Sequence, residues 1–425
     1  MENINSFING FNLFLFVLFA CCYGYQVLYV LIRMCRKLRY KKAKNLHRYA
    51  VLIPARNEGA VLENLLMSIA SQNYPQELVD VYVIADNCTD DTAEFARRHG
   101  VNVIERFNQE QVGKGYALNY AFHEIDREKG ISYYDGYMVF DADNVLDENF
   151  IREMNNTFDA GHRIVTSYRN SKNFDSNWIS AGHALWFLRE SKFLNGARMV
   201  CNTGCAISGT GFLVSSEIIR EDDGWKYHLL TEDIEFSIDK TLHGESIAYC
   251  ERAVLYDEQP ITFKQSWNQR MRWAKGFYQV FSNYGAGLIK GLFKTKKFQC
   301  VDMFMTVAPI ALLTVINFIL YLGLFTAGIL SANSELIHLA AVSTLKSFGM
   351  IYFSMFFFAA ITVVSEWDRI YCRDSKKIKY LFTFPVFMFT YIPIAVTALF
   401  KKVTWKPIAH TFSRSVQDIK QEVNR

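Results

Sequence analysis

Hydrophobic and polar positions divide the chain into three regions. The first, Phe11 to Ile32, is an apolar run without a charged residue, and it is long enough to cross a bilayer as one helix. From Tyr49 onward, short apolar runs alternate with amphipathic stretches, and the last third is again strongly apolar. The pattern therefore predicts a globular domain with membrane-spanning helices on either side of it.

The alternating region predicts strands and helices that follow one another in turn. Such alternation is typical of a three-layer α/β domain with a parallel sheet. Near residues 263–281 a helical period returns beside basic residues, which indicates an amphipathic helix at a membrane surface. The predicted strands are Tyr49–Ile53, Val79–Ala85, Val101–Ile104, Tyr137–Phe140 and Ile164–Ser167, and the predicted helices include Asp91–Arg98, Tyr116–Ile125 and Trp178–Phe193.

A dense basic cluster in residues 33–48 follows the first apolar run. No basic region precedes the run and no small-residue cleavage site follows it, which argues against a signal peptide. The positive-inside rule then places the amino terminus outside and the globular domain in the cytoplasm. The alternative is a nucleic-acid patch, but the position of the cluster beside a span favours the membrane.

The last third contains three candidate spans: Met303–Leu330, about Phe348–Val364, and Tyr380–Phe400. Three full crossings would leave the basic tail outside, whereas its composition predicts a cytoplasmic location. One segment is therefore either re-entrant or folded as a hairpin, with a break at a proline. The candidate break points are Pro309, Pro385 and Pro393.

Composition narrows the class of protein. Hydrophobic residues make up 51% of the 425 positions and the mean hydropathy is +0.03, which is high for a soluble enzyme. The net charge of +4 is too small for nucleic acid to be the main partner. The nine cysteines are scattered without a Cys-x-x-Cys pair, a pattern that argues against a zinc site and fits a reducing compartment.

Two carboxylates follow the predicted strand Tyr137–Phe140. Asp141 and Asp143 lie one residue apart, at the strand end where open α/β sheets bind ligands. Their oxygens suit a hard divalent cation that also binds phosphate. The alternative is an Asx-type turn, since Asp and Asn favour turns.

The two preceding strand ends also carry polar side chains. Asn57 and Glu58 follow the first strand and Asp86 follows the second, and all three can hydrogen-bond a nucleobase or a ribose. Asn57, Thr89 and Asp90 are also favoured helix N-cap residues, and capping is compatible with binding.

Four further motifs carry candidate chemistry. Lys114 lies between two glycines before a helix, where a phosphate can approach closely, although P-loop spacing is absent. Asp233 can act as a general base or belong to a helix N-cap. Gln269, Arg272 and Trp273 share one face of the amphipathic helix, where they either bind a diphosphate and a sugar or anchor the helix at an interface. The fourth motif is the Gly-Thr-Gly within residues 208–212. It either lets a substrate approach the backbone closely or forms a tight turn.

Taken in order, these motifs resemble the membrane-bound family 2 glycosyltransferases, which include cellulose, hyaluronan and poly-N-acetylglucosamine synthases. The motifs are Pro-Ala-x-Asn-Glu, Asp-Asn-x-Thr-Asp, Gly-Lys-Gly, Asp-Ala-Asp, Gly-Thr-Gly, Thr-Glu-Asp and Gln-x-x-Arg-Trp, and they cover about residues 49–281. The resemblance implies a GT-A-type (Rossmann-like) α/β catalytic domain with α-helical transmembrane segments. It also implies a nucleotide-sugar donor, expected in this family to be a UDP-sugar, and a Mg²⁺ or Mn²⁺ cofactor.

The resemblance also implies roles for individual residues. It assigns substrate binding to residues around the donor, metal binding to Asp143 and the role of catalytic base to Asp233. The implied substrate-binding residues are Ala55, Glu58 and Asp86 at the nucleoside, Lys114 and Asp141 near the diphosphate, and Gln269, Arg272 and Trp273 at the pyrophosphate and the acceptor.

The implied domains are a transmembrane helix in 1–35, a cytoplasmic glycosyltransferase domain in 36–260, interfacial helices in 261–300, and a transmembrane region with a basic tail in 301–425. The expected activity is inverting synthesis and export of a β-linked polysaccharide at the plasma membrane. The alternatives are transfer of one sugar to a lipid acceptor, as in ceramide glucosyltransferases, and a transporter or scaffold with an inactive domain. One span before the domain, where such synthases commonly have two, leaves room for an accessory membrane subunit, and Trp405-Lys406-Pro407 is a candidate docking element.

Overall fold

The computed structural model describes residues 2–295, 298–309, 311–405, 412 and 414–421. Its catalytic domain is built on one eight-stranded sheet with the strand order β3-β2-β1-β4-β7-β6-β8-β5. The strands are β1 Tyr49–Ala55, β2 Val79–Asp86, β3 Asn102–Arg106, β4 Gly136–Val139, β5 Val145–Leu146, β6 Ile164–Ser171, β7 Phe212–Ser215 and β8 Ile247–Asp257.

Helices cover both faces of this sheet, and loops join them to the strands. They are α1 Glu2–Cys35, α2 Gly59–Ala70, α3 Thr92–Arg98, α4 Lys114–Lys129, α5 Phe150–Phe158, α6 Trp178–Arg189, α7 Gly196–Cys201, α8 Ser216–Glu221, α9 Glu232–Leu242, α10 Phe263–Thr295, α11 Phe298–Val307, α12 Ala311–Leu330, α13 Ser334–Ser365, α14 Asp374–Phe389, α15 Tyr391–Phe400 and α16 Val416–Gln421. Single 3₁₀ turns occupy Gln76–Leu78, Ile131–Tyr133 and Trp367–Arg369, and a π-helical turn, Glu190–Asn195, joins α6 to α7.

Alternate residues of the central strands enter two different hydrophobic cores. Along β1, Ala50 and Leu52 pack in one cluster, whereas Val51 and Ile53 pack in the other. This follows from the two-residue period of a strand, and it explains why these strands read as continuous apolar runs rather than as alternating ones.

The sheet is mixed, so the prediction of a parallel sheet is correct for only four of its seven strand pairings. Strands β1 to β4 are parallel to one another and β6 is parallel to β8, but β7 is antiparallel to β4 and β6, and β5 is antiparallel to β8. The chain enters β7 from the carboxyl edge of β4, where the N–H of Gly211 donates to the carbonyl of Val139 at 2.9 Å. A Cβ on Gly211 would lie 1.9 Å from Leu255 Cδ2, so this close crossing requires glycine.

Four helical segments of the described chain are long and apolar enough to cross a membrane. They are Ser6–Cys35, Leu312–Leu330, Ser334–Ser365 and Asp374–Phe400. The predicted span over 303–330 begins later, at Leu312, because a break at Pro309, one of the candidate break points, separates α11 from α12 and proline interrupts the helical hydrogen-bond ladder. The predicted span at 348–364 is the carboxyl-terminal half of the longer α13.

The last apolar segment begins and ends beside the catalytic domain. Lys376 at its start forms an ion pair with Asp175 at 2.6 Å. At its end the carbonyl of Leu399 lies 3.5 Å from Lys275 Nζ of α10. The segment breaks at residue 390, five residues after Pro385, which α14 accommodates. The break occurs because the ring of Pro393 conflicts with continuation of the helix from Phe389.

The described tail also contacts the catalytic domain. The N–H of Phe412 donates to Glu258 Oε2 at 3.0 Å, and Lys420 pairs with Asp147 at 2.8 Å. Lys406 and Pro407 of the predicted docking element lie outside the described residues.

Buried ion pairs join the apolar helices to the catalytic domain. Asp302 of α11 accepts hydrogen bonds from Arg198 at 2.7 and 2.8 Å, and from Tyr25 and Tyr29 of α1 at 2.9 and 2.7 Å. The side chains of Arg198 and Asp302 are at most 2% exposed. Removing one partner of such a pair leaves an uncompensated buried charge.

Asp302→Ala is therefore expected to destabilise the protein by about 3–5 kcal/mol, measured as thermal unfolding of the purified full chain in lipid nanodiscs. The matched control is Glu94→Ala, which removes a carboxylate that is 62% exposed in its pair with the 48% exposed Arg97. That exposed pair contributes about 1 kcal/mol or less. Equal losses in the two variants would contradict the anchoring role of Asp302.

Candidate active site

The carboxyl ends of β1, β2 and β4 open into one cavity of about 1630 Å³. It extends from the sheet edge past α10 to the helices α1, α12 and α13. All of the residues to which the sequence assigned roles line it: Ala55, Glu58, Asp86, Lys114, Asp141, Asp143, Asp233, Gln269, Arg272 and Trp273.

Asp86 lies at one end of this crevice and is buried against a cation. Arg106 Nη1 is 2.6 Å from its Oδ1, and Asn87 donates to the same oxygen at 3.1 Å. Burial raises the pKa of Asp86 above its usual value, and the Arg106 guanidinium offsets part of that effect. The second carboxylate oxygen is not used by these two donors.

Asn57 joins two strand-end loops instead of capping a helix. Its Oδ1 accepts the N–H of Thr89 at 2.8 Å, and its Nδ2 donates to Thr89 Oγ1 at 3.0 Å. Helix α2 begins after Glu58 without a side-chain cap, so the interpretation of Asn57 as its N-cap is wrong. These two hydrogen bonds fix the loops after β1 and β2, which carry Glu58 and Asp86, relative to each other.

Lys114 is the first residue of α4 and lies in the centre of the crevice. Its Nζ is 2.5 Å from Asp141 Oδ1 and donates to the carbonyl of Gly209 at 2.9 Å. Burial by itself would lower the pKa of Lys114, but the carboxylates of Asp141 and Glu232 raise it overall, so the ammonium stays charged. The next residue must be glycine, because a Cβ on Gly115 would lie 2.0 Å from the carbonyl oxygen of Tyr227.

Asp143 is 2% exposed, and protein donors orient its carboxylate. The N–H of Glu258 donates to its Oδ2 at 3.1 Å, and Asn144 Nδ2 donates to its Oδ1 at 3.3 Å. The turn interpretation also holds, since the N–H of Asn144 donates to the carbonyl of Asp141 at 3.0 Å. The turn therefore presents both carboxylates to the cavity.

The donor set fits a divalent cation that is completed by its substrate. Among the described residues, no group of three or more His, Cys, Asp or Glu side chains forms a metal site on its own. Asp141 and Asp143 supply carboxylate oxygens at the cavity wall. Mg²⁺ in such sites is commonly bound by one or two carboxylates together with substrate phosphates.

Asp233 lies in the first turn of α9, and its carboxylate reaches across to another loop. Its Oδ2 accepts the N–H of Gly209 at 2.6 Å, which differs from the predicted capping alternative. Burial raises the pKa of Asp233, while the N–H groups of Ile234 and Gly209 oppose the shift. Burial and the neighbouring Asp233 charge raise the pKa of Glu232 to about 7. Near neutral pH, the charge on Glu232 therefore changes beside the carboxylate of Asp233.

The face of α10 that carries Gln269, Arg272 and Trp273 is directed into the cavity, as the spacing predicted. Gln269 Oε1 and Arg272 Nε are buried without a hydrogen-bond partner among the described residues. Buried polar atoms of this kind normally have partners, so both are positioned to bind a ligand. Trp273 packs edge-on against His183 and Phe187 of α6, at centroid distances of 5.6 and 5.8 Å.

Comparison with known proteins identifies the family. Residues 47–276, more than half of the chain, match the family model described as "Glycosyltransferase like family 2". The chain belongs to this family. It is a glycosyltransferase, and the predicted fold and enzyme class are confirmed.

Several curated relatives resemble this glycosyltransferase. It is 28% identical over 324 residues to a poly-beta-1,6-N-acetyl-D-glucosamine synthase of Staphylococcus epidermidis, covering 74% of this chain and 72% of that one. It is 27% identical to the probable glycosyltransferase YdaM of Bacillus subtilis, with coverage of 58% and 59%. It is 26% identical to a beta-monoglucosyldiacylglycerol synthase of Nostoc sp., with coverage of 60% and 54%. The matches thus span little more than half the length of the last two proteins.

A solved structure supports the fold. The mannosyltransferase PcManGT from Pyrobaculum calidifontis, in complex with GDP-Man and Mn²⁺, superposes with a TM-score of 0.58 at 17% identity. The superposition covers 92% of this glycosyltransferase and 99% of that chain. It therefore extends over the catalytic sheet and most of the apolar helices.

The structure adds residues to the site that the sequence motifs did not indicate. Arg169, on β6, pairs with Asp257, and its guanidinium lies 3.7 Å from the centroid of the Phe187 ring. Glu190 lines the cavity at the π-helical turn, a feature that often marks functional sites. The only available signal for Arg169 was its position on a strand that faces the same cavity. Nothing in the sequence around Glu190 indicated that this residue belongs to the site.

The two acidic residues of Thr-Glu-Asp predict a two-step pH dependence. Protonation of Glu232 near pH 7 changes the charge beside Asp233, so kcat/KM is expected to show an inflection there. Protonation of Asp233 gives a second limb of the profile. Glu232→Gln is expected to remove the inflection near pH 7 and keep the Asp233 limb, whereas the exposed-residue control Glu128→Gln keeps both. An unchanged profile in Glu232→Gln would contradict this assignment.

Proposed function

We propose that this glycosyltransferase is a membrane-embedded, inverting enzyme that builds a β-linked polysaccharide from a UDP-sugar and exports it. The carrying observation is the single cavity that joins the donor crevice to the space between α1, α12 and α13. A polymer synthase needs such a route, because its product must leave the catalytic centre while the reactive end remains there. The poly-N-acetylglucosamine synthase relative supports a polymer product.

Donor binding is assigned to the two ends of the crevice. Glu58 and Asp86, with Ala55 between their loops, offer acceptors to a nucleobase and a ribose. Arg272 and Gln269 have buried atoms without partners among the described residues, and a diphosphate would satisfy the guanidinium with charge-assisted hydrogen bonds.

A Mg²⁺ or Mn²⁺ ion fits at Asp143, with Asp141 beside it. When bound, such an ion neutralises charge on the leaving UDP. The pairing of Lys114 with Asp141 at 2.5 Å leaves Asp143 as the more direct ligand and places a second positive charge near the diphosphate. The Mn²⁺ in the PcManGT complex supports a divalent cation in this fold.

Asp233 is the proposed base. Its ionised carboxylate takes the proton from an acceptor hydroxyl while the hydroxyl oxygen bonds to the anomeric carbon. The bond between that carbon and the UDP oxygen breaks, and both electrons leave with UDP. Attack from the face opposite the leaving group inverts the configuration. Trp273 offers an indole face to the acceptor sugar.

The second candidate is transfer of one sugar to a lipid acceptor. The cavity wall between α1 and α13 carries many aromatic and aliphatic side chains, including Phe16, Phe19, Phe353 and Phe358. The diacylglycerol glucosyltransferase relative is consistent with such an acceptor. A scaffold with an inactive domain is the least supported alternative, because the complete set of motif side chains faces one cavity.

The proposed location is the plasma membrane, with the catalytic domain in the cytoplasm. The basic residues 33–48 and the tail support this orientation, since both lie on the catalytic-domain side. We also propose an accessory membrane subunit, which would form a second wall of the product route between α1 and α13.

Incorporation from a panel of labelled UDP-sugars into high-molecular-weight product tests the polymer function. Asp233→Asn is expected to lower kcat by about 10²–10⁴-fold, because the general base is lost, while UDP affinity is retained. Label found only in one extractable glycolipid would establish the second candidate instead. Full activity in Asp233→Asn would overturn the base assignment.

Asp143→Ala is expected to abolish the metal-dependent part of UDP binding, because Asp143 is the more direct ligand. Isothermal titration of UDP with and without Mn²⁺ measures this effect. Asp135→Ala, which removes a half-exposed carboxylate remote from the cavity lining, is the control. Equal UDP affinity of Asp143→Ala and wild type in Mn²⁺ would contradict the role.

A further inference from the structure

Glu190 is a carboxyl group in the cavity wall that the proposed transfer chemistry does not use. Burial raises its pKa, and the charge of Asp233 adds to the rise, so the group lies deep within the protein. The residue nevertheless keeps some exposed surface, and exposed surface at that depth faces the cavity that Glu190 lines. The carboxyl group is therefore open to a ligand in this cavity.

The three arginines near Glu190 bind other partners. Arg169, Arg189 and Arg198 pair with Asp257, Gln26 and Asp302, respectively. Within the described ranges, Glu190 forms no ion pair, and the hydrogen bond of its carboxyl group is a long one, from Ser208 Oγ to its Oε2 at 3.4 Å. Its Oε1 is thus available to a ligand, and a carboxyl oxygen in an enclosed site is stabilised by a hydrogen-bond donor.

The π-helical turn that begins at Glu190 is held on both sides. The N–H of Arg169 on β6 donates to Ser191 Oγ at 3.2 Å. Asn195, at the end of the turn, forms two hydrogen bonds with the backbone of Ala206, at 3.1 and 3.2 Å. The carboxyl group therefore extends from a fixed backbone, as a residue that orients a ligand requires.

Glu190 and Asp233 are joined through consecutive residues of one loop. Ser208 Oγ donates to Glu190, and the N–H of Gly209 donates to Asp233 Oδ2 at 2.6 Å. Because the Cα atoms of consecutive residues lie about 3.8 Å apart, the two carboxyl groups occupy neighbouring positions at the cavity. A molecule whose hydroxyl group reaches Asp233 therefore also comes close to Glu190.

Glu190 lies towards the membrane helices, on the side away from the donor. The preceding residue, Arg189, donates to Gln26 of α1 at 2.6 Å, and its guanidinium lies 5.4 Å from the centroid of the Phe358 ring of α13. The donor side is marked instead by Lys114 near the proposed diphosphate position. In the proposed reaction, the acceptor occupies the space between the base and the membrane helices, and Glu190 borders that space.

We propose that Glu190 is an acceptor-binding residue, whose free carboxyl oxygen accepts a hydrogen bond from a hydroxyl group of the acceptor sugar beside the one that Asp233 deprotonates. The acceptor class is therefore a sugar with at least two neighbouring hydroxyl groups. Water, which hydrolyses the donor, has no second hydroxyl group and gains nothing from this contact. The inference rests on the proposed function, because it requires a sugar as the acceptor.

The contact predicts that Glu190 affects transfer of the sugar but not hydrolysis of the donor. The full chain in lipid nanodiscs is given the labelled UDP-sugar that yields product, and label in the glycan and label in free sugar are measured separately. Glu190→Ala is expected to lower the transfer rate about 10–100-fold, the factor that one hydrogen bond to a charged group supplies, with hydrolysis and UDP affinity unchanged. Glu190→Gln keeps an acceptor oxygen, so its loss is expected to be less than about tenfold.

Glu128→Ala is the control, since Glu128 is exposed and lies outside the cavity lining. Unchanged transfer in Glu190→Ala would overturn the inference, and so would an equal fall in transfer and hydrolysis, which would indicate a structural role. Equal losses in Glu190→Ala and Glu190→Gln would overturn it too. The product of wild type tests the proposed function separately: label only in one glycolipid would defeat that function, and the sugar acceptor with it, whatever the variants do.

Discussion

The ammonium of Lys114 joins three loops of the catalytic centre at one point. It contacts Asp141 at the end of β4 and the carbonyl of Gly209 before β7, while Gly209 in turn donates to Asp233 on α9. The turn that carries Asp141 and Asp143, the glycine loop and Asp233 therefore share one network of short polar contacts. Helix α4 can lie this close to Tyr227 only because Gly115 has no side chain. The whole arrangement therefore depends on glycine at this one position.

The second constraint is the attachment of the apolar helices to the catalytic domain. Buried ion pairs of Arg33 with Glu251 and of Arg198 with Asp302 hold α1 and α11 against it. Glu366, at the end of α13, accepts from Tyr168 at 2.5 Å and pairs with Lys192. Charged groups in such positions tolerate little displacement, so the helices that line the outer cavity are fixed relative to the donor crevice. One continuous cavity results from this attachment.

Local chemistry in the sequence predicted strands β1 to β4 and β6, their polar ends and the helix face of Gln269, Arg272 and Trp273, because side-chain period and strand-end position are properties of short segments. The sequence did not predict β5, β7 and β8, the antiparallel direction of β7 or the position of Glu190. Those depend on contacts between residues far apart in the chain, such as Gly211 with Val139. Only the tertiary structure brought Asp143, Asp233 and Arg272 to one cavity, because their separation in sequence carries no information about their distance in space.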